Sequence, residues 1–121
     1  MPSKRNPVVY LHDMLMAMDR IEGYVAGLTY ETYEQLWEKQ DAVERRMAIL
    51  TESADRLHAA EADLGPEVDW RAIHSLGNKL RHEYDGIDTK TVWEIIHRDL
   101  PNLRTSLETI LRENFTDAGR P

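Results

Sequence analysis

Residues 38–64 read EKQDAVERRMAILTESADRLHAAEADL. Val43, Met47, Leu50, Ala54 and Leu57 follow one another in steps of four and three, and Leu64 comes seven later. Such steps keep returning to one side of a helix of about 3.6 residues per turn. The stretch therefore predicts a helix from Glu38 to about Ala62 with a bundle-type apolar stripe. Gly65-Pro66 stops it, because glycine relaxes into helix-ending conformations and proline cannot donate to the preceding turn.

Working outward, Val8, Leu11, Leu15, Met18, Ile21, Val25 and Leu28 repeat the same spacing toward the N-terminus. Pro7 suits the start of that helix and Gly27 its end. Thr29 is placed to cap a short helix. Toward the C-terminus, Asp69 caps a helix that begins at Trp70, with Trp70, Ile73, Leu76, Leu80 and Tyr84 on one face and Gly86 breaking it. Asp88 caps the next, striped by Val92, Ile96, Leu100, Leu103, Leu107 and Ile110. Pro101 lies inside that run and lacks a backbone donor, so a kink or a new helix start is expected there. Trp37, Trp70 and Trp93 are expected in the core, with an interface role as the alternative. No stretch alternates with a period of two. The fold class is all-α: an antiparallel bundle of four to five helices, expected to bury its spare apolar faces in a homodimer with a shared cleft.

At 121 residues the chain fits one domain. Its 15 Lys and Arg against 22 Asp and Glu give a net charge of −7, which opposes binding a polyanion by bulk attraction. The acid is unevenly spread: residues 1–65 carry 7 basic and 12 acidic groups, residues 66–121 carry 8 and 10. With no Cys there is no disulfide and no thiolate chemistry. No apolar run approaches the roughly 20 residues that span a bilayer, and Leu11-His12-Asp13 interrupts the stretch a signal peptide would need. No membrane association and a cytoplasmic location are expected.

The chemistry-bearing stretch is Trp70–Asp88, WRAIHSLGNKLRHEYDGID. On a helix, His74, Asn78, Arg81, His82 and Asp85 fall on one side, away from Ile73, Leu76 and Leu80. Imidazoles exchange protons near neutral pH, and a guanidinium presents forked donors to a phosphate. These groups suit phosphodiester chemistry. The plainer reading is a solvated helix face. His12, His58 and His97 sit on separate predicted helices and are read as surface or boundary residues, with no metal and no cofactor expected. Arg45-Arg46 reads as a solvated face, with a cleft or partner role for Arg45 as the alternative.

The spacing resembles the signature of the HepT-like ribonucleases, toxins of the HEPN superfamily: an Arg, four residues, a His, one residue, a Tyr, often with Asn after the Arg. Asn78, His82 and Tyr84 stand at matching positions, followed by Gly86-Ile87-Asp88. Leu11-His12-Asp13, Ile21-Glu22-Gly23-Tyr24, Gln40–Arg46, Asp69–Ile73, Val92-Trp93 and Asp99-Leu100-Pro101 are also similar to family blocks, in order. The similarity covers roughly residues 8 to 113, so that span is expected to be the domain, with flexible ends at 1–7 and 114–121.

One departure matters. Gly77 stands where the family has its motif Arg. Arg81, four residues on, projects only about 40° away and could serve the same phosphate. A helical glycine is more simply explained by close packing, for instance against a partner helix.

The resemblance implies a metal-independent RNA endonuclease of a type II toxin–antitoxin system. His82 would take the proton of a ribose 2′-OH, Arg81 would stabilise the phosphate, and Asn78 would hold the geometry. Lys79, His74 and Asp85 would assist binding. The implied partners are RNA and an MNT-type nucleotidyltransferase antitoxin that transfers AMP to Tyr84. The competing reading is a non-catalytic HEPN-type module that binds nucleotide or the partner, with Gly77 recording lost catalysis. A third is a structural dimerisation bundle.

Overall fold

The computed structural model describes residues 6–82 and 87–115. Its order is α1 (Pro7–Val25), α2 (Tyr30–Gln35), α3 (Trp37–Ala60), α4 (Trp70–His82), α5 (Thr89–Glu94), a π turn (Ile95–Asp99) and α6 (Leu100–Asn114). No strand occurs among the described residues. The all-α reading holds. The expectations for Tyr84, Asp85 and Gly86, and for the outermost residues of both ends, lie outside the described residues.

The caps expected at Thr29, Asp69 and Asp88 form, and α1 has an unanticipated one in Asn6, whose Oδ1 accepts the Val8 N–H at 3.0 Å, with Pro7 at the first helical turn. Thr29 Oγ1 accepts from Thr32 at 3.1 Å, Asp69 Oδ1 from Ala72 at 3.0 Å and Asp88 Oδ2 from Thr91 at 3.2 Å. Each satisfies a donor that the first turn would otherwise leave unpaired. Gly27 and Gly65 close the turns after α1 and α3 with φ of +76° and +56°, a region that residues with a Cβ avoid.

The core forms where α1 meets α3. Leu11, Met14, Met18 and Ile21 of α1 pack in one cluster with Val43, Met47, Leu50 and Leu57 of α3, all essentially without exposed surface. Each such side chain contributes about 1.5–3 kcal/mol over leaving it in water. From α6, Leu107 and Ile110 complete the cluster, and Arg104 reaches back to α1, donating to Asp19 at 2.7 Å and Glu22 at 3.0 Å. Tyr33 of α2 is buried against Trp93 at 5.1 Å between ring centres.

At Pro101 the chain takes the second of the two expected adjustments, a new helix start. A wide turn, in which the Leu100 N–H donates to the Ile95 carbonyl, precedes α6, and Pro101 falls at its first turn. A proline there has no N–H to donate and its ring crowds the carbonyl four residues back, which a normal turn could not absorb.

One core expectation fails. Trp37 is 66% exposed, whereas Trp70 and Trp93 are partly buried. Trp37 is the first residue of α3, directly after the Leu36 corner, so its position is set by the chain reversal and not by the apolar stripe, which begins at Val43.

Candidate functional site

Helix α4 is held at its start. The Trp70 indole stacks on His58 at 5.4 Å and donates its Nε1–H to the carbonyls of Leu64 at 3.2 Å and Gly65 at 3.1 Å. From there α4 runs antiparallel to α3: Trp70 meets His58, His74 meets Asp55 and Gly77 meets Thr51. Gly77 is the one buried residue of α4. A Cβ placed on it would lie 2.8 Å from Thr51 Oγ1 and 3.0 Å from Thr51 Cβ. Thr51 cannot give way easily, because it is β-branched, fully buried and donates to the Ala48 carbonyl at 3.1 Å. The close packing expected of this glycine is therefore present, but against α3 of the same chain.

The wet side of α4 carries an ordered chain of hydrogen bonds. Arg81 Nη2 donates to Asn78 Oδ1 at 2.7 Å. Asn78 Nδ2 lies 3.4 Å from His74 Nε2, and His74 Nδ1 lies 3.0 Å from Asp55 Oδ2. A carboxylate only accepts, so Nδ1 carries the proton. That leaves Nε2 to accept from the Asn78 amide, whose oxygen faces Arg81. One consistent polarity thus runs from Arg81 through Asn78 and His74 to Asp55. It directs the guanidinium back over Gly77: Arg81 Nη1 lies 3.1 Å from where a Cβ at position 77 would be. Arg81 therefore reaches the space that the bare glycine leaves free.

Of the anticipated site residues, the structure joins His74, Asn78 and Arg81. Lys79 and His82 are exposed in the same last turn, where Lys79 and Arg81 concentrate positive charge beside His82. Among the described residues His82 makes no hydrogen bond or ion pair. Asp55 is the member that sequence reasoning missed. Its only signal was position: Thr51, Asp55 and His58 step by four and three along α3, beside the core stripe. Which partner that face meets depends on the α3–α4 register, and Gly77 sets it. His12 lies on α1, His58 on α3 and His97 in the π turn, and they do not converge.

Comparison with known proteins identifies the family. The sequence profile of the HepT-like ribonucleases, described as "Ribonuclease HepT-like", matches residues 14–110. A Thermococcus cleftensis protein named "Probable ribonuclease HepT" is 29% identical over 107 residues, covering 88% of this chain and 97% of its own length. A Methanocaldococcus jannaschii protein named "Putative RNase" is 26% identical over 110 residues, with 91% of each chain covered. A Caldanaerobacter subterraneus protein, also named "Putative RNase", is 26% identical over 109 residues, covering 90% and 97%. No solved structure matches. The chain belongs to the HepT-like ribonuclease family.

Proposed function

We propose that this chain is an RNA endonuclease toxin that works without a metal, with residues 8–113 as its domain. His82 removes the proton from a ribose 2′-OH, and that oxygen attacks the adjacent phosphorus; the P–O5′ bond breaks, and the departing 5′-oxygen takes a proton from water to leave as a 5′-hydroxyl. The product is a cyclic phosphate. Arg81 stabilises the charge that builds on the phosphate, and Asn78 holds Arg81. The observation that carries this reading is Arg81 lying over Gly77, fixed by Asn78, where the family's motif Arg would begin.

The site fits a cleft between two copies. Between α4 and α6 lies an open hollow of about 450 Å³, lined by Leu50, Ile73, Leu76, Ile95, Leu100 and Leu103 among others. A second copy seated there would cover this apolar surface and bring two α4 helices together, concentrating positive charge despite the acidic whole. We further propose a cytoplasmic toxin–antitoxin role with an MNT-type nucleotidyltransferase as partner. AMP placed on Tyr84 adds negative charge beside His82 and repels RNA.

The test is incubation of the purified protein with RNA in the presence of a chelator. Fragments ending in cyclic phosphate are expected, and His82→Ala abolishes them. Arg81→Ala lowers the rate by about 10²-fold or more. RNA left intact by the wild type favours the second reading, a binding module that lost catalysis with its motif Arg. For the partner, co-expression with the nucleotidyltransferase should raise the intact mass by AMP units, and Tyr84→Phe should prevent it.

A further inference from the structure

Where α1 ends and α3 begins, an open hollow of about 390 Å³ is lined by Tyr24, Gln35, Leu36, Trp37, Glu38, Lys39 and Ala42. Trp37 presents its indole to solvent there, 66% exposed, beside the exposed Leu36. Lys39 Nζ lies 5.9 Å from the centre of the Tyr24 ring. Arg46 first, and then Arg20, lie near enough to Tyr24 to hold its phenol below the ordinary range.

Three cations thus gather on the more acidic half of an acidic protein. None of them forms an ion pair with a described residue. The acids nearest on α1, Asp19 and Glu22, are taken by Arg104. Glu38 is the single carboxylate lining the hollow. Burying an indole would have been favourable, and pairing these cations would have cost little, yet the fold does neither.

The hollow also stands at the end of the bundle that carries His82. Gly77 meets Thr51 in an antiparallel pair. His82 lies five residues beyond Gly77, about 7.5 Å along from that contact, and Trp37 lies fourteen before Thr51, about 21 Å along in the same direction, a separation that a strand of a few nucleotides bridges.

We infer that this surface binds single-stranded RNA, with Trp37 as a stacking platform for a base and Arg20, Lys39 and Arg46 as contacts to the flanking phosphates. It rests on the ribonuclease reading and extends it: the strand cut at His82 continues around the end of α3 onto Trp37. Any base offers a face to stack, so the surface adds affinity without choosing a sequence. It also answers the adverse net charge, since local cations supply what the whole molecule lacks.

The probe is a labelled 2′-O-methyl oligouridylate, which has no 2′-OH to attack and stays intact. Wild-type protein is expected to bind it with quenching of the exposed indole. Trp37→Ala should weaken binding at least fivefold and remove most of the quenching, while Trp37→Phe retains part of the affinity. Arg20→Gln with Arg46→Gln should lower the slope of log affinity against log salt by about 1.4, roughly 0.7 for each lost phosphate contact. A merely structural role would leave that slope unchanged.

Wild-type affinity and slope in these variants overturn the inference. So does a self-associated species that Trp37→Ala dissolves without changing RNA affinity. The two readings fail separately. If unmodified oligouridylate is cut but the variants bind like wild type, the surface is wrong and the nuclease stands. If the probe binds through Trp37 but unmodified RNA survives intact, the nuclease is wrong and the surface stands.

Discussion

Helices α1 and α4 pack on the same long helix in opposite ways. In its 19 residues α1 buries eight side chains, among them Leu11, Met14, Met18 and Ile21. In its 13 residues α4 buries only Gly77. One helix gives its surface to the core. The other comes closest to α3 where it has no side chain, tucks Trp70, Ile73 and Leu80 only partly against the core, and keeps its polar side in water. The difference shows how a small bundle divides its work: stability is concentrated along α1 and α3, which leaves α4 free to carry polar groups that a core would reject.

The sharpest way to break this contrast is to empty the α1 side. Met18→Ala is expected to cost about 2–5 kcal/mol in urea denaturation, because the cavity left among fully buried neighbours cannot collapse. The partly exposed Leu80 of α4 should cost under about 1.5 kcal/mol when changed to Ala. Equal losses would erase the distinction.

Alkaline pH probes the buried side alone. Burial first, then Glu44 and Tyr30, pushes the Tyr33 phenol from 10.0 to about 12. The folded state therefore holds that proton after the unfolded chain has released it. The stabilisation is complete below pH 10.0 and is lost as pH rises toward about 12. On the order of 2 kcal/mol should disappear across that window, and Tyr33→Phe should flatten the decline.

At the α3–α4 contact, Gly77→Ala should lower stability by about 1 kcal/mol. The methyl's crowding of Thr51 outweighs the gain in helix propensity. Adding Thr51→Gly should restore part of the loss, and a double-mutant cycle should give a coupling of at least about 0.5 kcal/mol. Additive losses would mean the helices do not meet there.

The smallest effect on stability is expected at Asp55. Asp55→Ala should change it by no more than about 0.5 kcal/mol, since the carboxylate and His74 are partly in water. RNA cleavage should nevertheless fall several-fold, because Arg81 loses the far end of its hydrogen-bond chain. Unchanged cleavage would make the chain a decoration of the surface.

Most of the fold was legible because its signals are local. Thr29, Asp69 and Asp88 sit next to the helices that they or their neighbours start, and the apolar steps of α1 and α3 name their own core. What the sequence could not show depended on contacts between elements. Trp37 looked like core by composition, but a corner residue is oriented by the turn before it. Asp55 entered the site only through a partner 19 residues away. Gly77 was legible as a packing residue, whereas its partner, Thr51, had to come from the helix register.

Position 77 and Arg81 also compete for space. A Cβ at 77 would stand 3.1 Å from Arg81 Nη1, so even a methyl there asks the mobile end of that side chain to shift by a few tenths of an ångström. A longer side chain, such as an arginine restored at 77, would displace the guanidinium further while pressing on Thr51, which stands closer and gives less. Regaining the family's motif in this chain thus involves Thr51 as well as position 77, which makes the glycine hard to reverse by one substitution.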